Sequence, residues 1–186
     1  MKYLASLLLL SAACVGEPMH GTVMDPPSAA PPLVVAGDST VPAWSLKDET
    51  GRTVVLFFGY THCPDVCPTV LADWARAKRA LGADTAAVRF VFVAMDPGRD
   101  TPARTQQHAR QFDPAILGVA TTDAEVARIT RDWGFAVYAE GDPRTPNYTV
   151  AHPAQSFVVD RKGRLRLMLP PGVRGEDIAK DLRRIR

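Results

Sequence analysis

Thr53–Trp74 reads TVVLFFGYTHCPDVCPTVLADW, and its reading fixes the centre of the fold. Val54, Val55, Leu56, Phe57 and Phe58 form an unbroken apolar run, the pattern of a strand buried on both faces. Gly59 ends that run. Pro68 suits the start of a helix, where a missing N–H has no partner to lose. From there Val70, Leu71, Trp74 and Leu81 recur at helical spacing up to Gly82. A helix over Pro68 to Leu81 is therefore predicted, with Cys67 at its N-cap and Cys63 one short turn earlier. Both sulfurs would face the positive end of the helix dipole. That field favours thiolate, the form that attacks disulfides and binds metals.

Working outward, the chain alternates strand and helix signals, which points to an α/β layer fold. Leu33 to Ala36 and Val41 to Leu46 flank the polar turn Gly37, Asp38, Ser39 and read as an N-terminal hairpin. Val88 to Met95 is a second buried strand. Thr101 and Pro102 have the chemistry of an N-cap and first helical residue. Ile116 to Ala120 reads as a short strand, and Thr122 with Glu125 as a capping box opening a helix through Trp133. Strands follow over Phe135 to Tyr138 and Tyr148 to Val150, separated by a polar loop from Gly141 to Pro146. Phe157 to Val159 and Leu165 to Leu169 close the fold as a hairpin turning at Lys162 and Gly163, and a last helix follows Gly175.

At 186 residues with a formal charge of +2, the chain is long enough for one substantial core and carries no excess charge that would call for nucleic acid. Lys2 followed by the apolar run Tyr3–Ala13 outlines a secretory leader over residues 1–13. The run is too short to cross a membrane, which takes about 20 apolar residues in a helix. Ser11, Ala12, Ala13, Cys14 is similar to a bacterial lipobox, which would place a lipid on Cys14, the alternatives being plain cleavage or an uncleaved anchor, and the protein on the periplasmic or extracytoplasmic face of the cell membrane. Residues 14–32, rich in Pro, Ala, Ser and Gly, read as a flexible tether before a domain over residues 33–186. Met19, His20 and Met24 are soft or borderline ligands within that tether, without a preset geometry.

The segment FFGYTHCPDVCP (57–68) resembles the signature of the Sco/SenC family. VAMDPGRDTP (93–102), the WGFAVY run from Trp133 and His152 ahead of SFVVD extend the resemblance in order to the C-terminus. It implies a thioredoxin-like fold with a central mixed sheet flanked by helices. It further implies copper bound by Cys63, Cys67 and His152, and a role in assembling the dinuclear copper centre of cytochrome c oxidase. The expected partners are then the copper-centre subunit of that oxidase, other copper chaperones or a thiol reductant, and the membrane through the lipid anchor. The family commonly has an acidic residue before this histidine and a serine after it. Here they are Ala151 and Pro153, so a carboxylate partner for the ring is missing.

Two thiolates and an imidazole suit Cu(I), which is soft and tolerates low coordination; Cu(II) would need further ligands. Zinc would want a fourth ligand in a structural site, and His62 is the nearest candidate, its other reading being a solvent-facing ring. Asp65 is read as a cap for the loop backbone. Arg99 and Asp100 are read as scaffold at the sheet end where open α/β folds bind ligands, and His108 as a surface residue. The alternative function is a thiol:disulfide oxidoreductase, with Cys63 attacking and Cys67 resolving; a copper or redox sensor is a third reading. A peroxidase is disfavoured, because no arginine lies in the cysteine loop. His152→Ala separates metal binding from dithiol exchange.

Overall fold

A computed structural model describes residues 17–185; the leader and Cys14 lie outside the described residues. The strands and helices, in chain order, are β1 (Thr22–Ala29), β2 (Val34–Val35), β3 (Trp44–Ser45), β4 (Thr53–Gly59), α1 (Val66–Leu81), β5 (Val88–Ala94), α2 (Pro102–Phe112), β6 (Leu117–Ala120), α3 (Asp123–Trp133), β7 (Tyr138–Glu140), β8 (Thr149–Ala151), β9 (Ser156–Val159), β10 (Arg164–Leu169) and α4 (Gly175–Ile185). Six strands form one sheet in the order β1-β10-β9-β4-β5-β6. β4, β5 and β6 run parallel, while β9 pairs antiparallel with β4 and β10 antiparallel with β9. This is the mixed, thioredoxin-like sheet expected.

Every residue of β4 is buried, and its side chains alternate between two cores as strand geometry requires. Val55 and Phe57 enter a core with Leu71, Trp74, Phe92, Leu167, Ile178 and Leu182, covered by α1 and α4. Val54, Leu56 and Phe58 enter another with Leu33, Trp44, Val93, Ile129 and Phe157, covered by α3 and the N-terminal hairpin. That hairpin forms where expected, β2 pairing with β3. Its turn is tied by Asp38, whose carboxylate accepts from Thr40 N, Thr40 Oγ1 and Val41 N.

Three local expectations are corrected. Thr22–Ala29 is not tether but an edge strand, β1, pairing with β10 on either side of an irregularity between Val23 and Ser28. The segment lacks apolar alternation, and Pro26 and Pro27 sit inside the irregularity, where no ladder N–H is required. Pairing through the backbone is blind to that composition. The entry to β1 is fastened by the buried Asp181 of α4, which accepts from His20 N, Gly21 N and the His20 ring. Gly21 is obligatory there, since a Cβ would stand 2.8 Å from Leu167 Cγ. His20 therefore serves carboxylates, with Asp177 also 3.5 Å away. Secondly, the strand predicted over Phe135–Tyr138 lies at Tyr138–Glu140. Phe135 instead packs 4.7 Å from Phe58 between ring centroids. Thirdly, α1 begins at Val66, with Asp65 at the N-cap position, so Cys67 lies inside the first turn.

Among the described residues no helix is long and apolar enough to cross a membrane. The basic C-terminal end is engaged locally, Arg183 on Asp84 and the Ala80 carbonyl, and Arg184 on the Glu17 carbonyl.

Candidate metal centre

β4 delivers the chain to the end of the sheet where α1 starts, and Gly59 makes the approach close. A Cβ at Gly59 would stand 2.7 Å from Cys67 Sγ and 2.9 Å from Phe92 Cε2, so only glycine lets that sulfur rest on the strand. Asp65 makes no side-chain capping bond. Its expected role falls to a sulfur: Cys67 N, in the first turn, donates to Cys63 Sγ over 3.4 Å. Cys63 thus sits where helix N–H groups and the dipole favour an anion. Cys67 is fully buried and Cys63 half-buried, and both are free thiols.

His152 follows directly on β8, and the chain turn brings its ring over both sulfurs. Nε2 lies 3.7 Å from Cys67 Sγ and 4.0 Å from Cys63 Sγ, and the three donor atoms lie within 4.8 Å of one another. Phe57 and Tyr60 present edges to the imidazole, with centroids 5.6 Å away in each case. The carboxylate that the Ala151 position lacks is replaced by backbone: Nδ1 lies 3.0 Å from the Pro153 carbonyl oxygen. An oxygen that can only accept places the ring proton on Nδ1 and leaves the Nε2 lone pair facing the sulfurs.

The pair shares one proton unequally. The Cys67 S–H beside it, with the helix N–H groups, pulls the Cys63 thiol down to about 3 against the opposing effect of burial. The Cys63 thiolate and burial push the Cys67 thiol up. The metal-free pair is therefore an exposed-side thiolate at Cys63 and a buried thiol at Cys67.

The donor set fits a three-coordinate ion. Bonds of about 2.3 Å to sulfur and about 2.0 Å to nitrogen, as for thiolate and imidazole on zinc, meeting at about 120°, give S···N edges of roughly 3.7 Å. The two observed S···N edges, 3.7 and 4.0 Å, need almost no adjustment. His62 does not join the group. Its exposed ring lies 3.2 Å from Thr61 Oγ1 through Nδ1 and 3.3 Å from the Arg104 guanidinium through Nε2. No fourth Cys, His, Asp or Glu completes the cluster among the described residues, which disfavours a structural zinc site.

The loop after β5 does more than terminate a strand. Asp100, buried, accepts from Thr61 N over 3.0 Å and from Thr61 Oγ1, tying down the cysteine loop. His108 is half-buried and not a plain surface residue: its ring lies tilted against Phe92 and edge-on to Phe112 with Nε2 buried, and burial lowers its pKa. Its polar neighbours in sequence hid that face. Sequence reading also passed over Tyr60 and Tyr148, whose only signal is that aromatic rings flank the motif and the histidine.

This cysteine-turn-helix site on a thioredoxin-like sheet defines a class, and the comparisons name it. A family model described as SCO1/SenC matches residues 39–186, and the chain belongs to that family. It is similar to ScoI of Bradyrhizobium japonicum, solved with copper bound, at 34% identity and TM-score 0.74, covering 86% of this chain and all of that one. Apo Sco1 of Thermus thermophilus is similar at 30% identity and TM-score 0.81, covering 92% and 99%. The mitochondrial SCO2 homolog of Bos taurus is 31% identical over 128 residues, which are 68% of this chain and 45% of that protein. The chain spans about half the length of the first curated relatives it matches.

Proposed function

We propose that this protein is a copper chaperone that holds Cu(I) between Cys63, Cys67 and His152 and delivers it to the dinuclear copper centre of cytochrome c oxidase during assembly. The observation carrying this reading is the convergence of two sulfurs and one imidazole nitrogen within 4.8 Å. The copper-bound Bradyrhizobium relative supports the choice of metal. Soft sulfur donors favour Cu(I), and loading it displaces the proton from Cys67. Cys67 is sealed in the core whereas Cys63 and His152 are half-buried. A client ligand therefore reaches the ion from the Cys63 and His152 side, exchanging those donors first. The leader and lipobox-like Cys14 support export and a lipid tether to the membrane.

The second reading is dithiol exchange, favoured by the half-buried Cys63 thiolate beside a buried Cys67 thiol. Cys63 would attack one sulfur of a client disulfide and release a client thiolate. Cys67, on losing its proton, would then attack Cys63 Sγ and release the second, leaving a Cys63–Cys67 disulfide for an external thiol reductant to reduce.

The test is anaerobic mixing of Cu(I)-loaded protein with the metal-free, reduced soluble copper domain of an oxidase. Delivery is expected as stoichiometric transfer of copper. Retention of copper here, with reduction of an oxidised client domain by the metal-free, reduced protein in a parallel mixing, would favour the oxidoreductase.

A further inference from the structure

The ribbon of β7 and β8 forms a sheet of its own. It carries His152 at its exit, so its attachment decides where the imidazole stands. Tyr148 and Val150 are buried in the core, and the polar part of that attachment is gathered on Arg99, in the loop after β5. The guanidinium carbon lies 3.4 Å from the Tyr148 ring centroid and 5.7 Å from that of Tyr60. Nη1 donates to the carbonyls of Pro146 and Tyr148, at 3.1 and 3.0 Å, and Nε donates to Asp96 Oδ2 at 2.6 Å. The Tyr148 hydroxyl donates to the other Asp96 oxygen at 2.6 Å. Tyr148 is buried, and burial with the Asp96 carboxylate pushes its phenol up to about 12, so this donor keeps its proton at any physiological pH. A planar cation that stacks on rings and bridges backbone carbonyls to a carboxylate is a task for arginine and not for lysine.

We propose that Arg99, seated on Asp96, is a positioning residue that fixes Tyr148 and hence sets His152 at ligating distance from the two sulfurs. The inference rests on the three-ligand copper reading. Arg99 touches no ligand; it acts four residues upstream of His152, through the strand β8. Its neighbour Asp100 holds Thr61 in the cysteine loop, so a single turn fastens both halves of the site by different residues.

The experiment is a two-by-two cycle on the reduced soluble domain, with Arg99→Ala and His152→Ala alone and together, reading Cu(I) affinity by competition and ligand count by X-ray absorption. Loss of an outer partner of a metal ligand typically costs about 10- to 100-fold. Arg99→Ala is expected to weaken Cu(I) binding about tenfold and diminish the nitrogen contribution, yet to change affinity less than about twofold when His152 is already alanine. Equal losses in the two backgrounds, or undiminished affinity and nitrogen count in Arg99→Ala alone, would overturn the proposal. Should Arg99→Ala not fold, Arg99→Lys keeps the charge and stem without the planar fork, and the same cycle applies. If His152→Ala alone leaves affinity unchanged, the three-ligand reading fails, whatever Arg99 does.

Discussion

The cysteine loop and the histidine arm meet at one site, but they are held in opposite ways. The loop is fixed by chain continuity between a buried strand and a helix: Met95 N donates to Gly59 O, Cys63 N to Tyr60 O, and Cys67 N to the Cys63 sulfur. The arm is a short ribbon with an exposed β7, tied back by the side chains of Arg99, Asp96 and Tyr148. Bonds between near neighbours in sequence, with Asp100 on Thr61, make the sulfur pair the base of the site, whereas the place of the imidazole depends on side chains far apart in sequence. On the copper-delivery reading, the buried Cys67 retains the ion while the half-buried Cys63 and His152 exchange.

The largest effect that would break the contrast is expected from Gly59→Ala. The added methyl would press on Cys67 Sγ and Phe92. Overpacking of this kind costs about 1–3 kcal/mol, read by urea denaturation, and should lower Cu(I) affinity more than about tenfold by displacing the buried sulfur. Wild-type stability with wild-type affinity would show that the base is not fixed by this contact.

A smaller effect is expected from Asp100→Ala, which leaves Thr61 N and its hydroxyl without their carboxylate. Stability should fall by about 1–3 kcal/mol and Cu(I) affinity by about threefold. That loss should persist in the His152→Ala background, opposite to the behaviour expected of Arg99. An Asp100 effect that vanishes without His152 would erase the distinction between the two halves.

The smallest change is expected in a pH profile. With the Cys63 thiol held near 3, below its ordinary value of about 8.5, the thiolate persists as pH falls, and the reaction of Cys63 with iodoacetamide in the reduced, metal-free fold should vary less than about twofold between pH 5 and 8. In urea the rate should climb about tenfold per pH unit over the same range. A folded-state rate rising as steeply would show that the helix end and Cys67 do not hold the anion.

The same division explains what was legible in the sequence. The strand, glycine, cysteine pair and helix are contiguous, so periodicity and capping chemistry place them, with an error of two residues at the helix start, where a sulfur replaces the usual cap. The hairpin of β2 and β3 and the Thr122–Glu125 capping box were legible for the same reason, their bonds being local. His152 could be singled out only through the family resemblance, since nothing adjacent to it carries metal chemistry. Arg99 reads as a turn residue because its partners Pro146 and Tyr148 lie 47 and 49 positions away. β1 was illegible for a related reason, its pairing being with the backbone of β10 and not with a side-chain pattern. His108 was misread because a helix of polar residues can still turn one imidazole toward Phe92.

The most direct measurement is anaerobic Cu(I) competition on His152→Ala beside the unaltered protein, with X-ray absorption on both. The unaltered protein should show two sulfur neighbours and one nitrogen, and the variant should lose the nitrogen and bind at least about a hundredfold more weakly, beyond the usual cost of losing an outer partner. Equal affinity in the two proteins would contradict the three-donor centre.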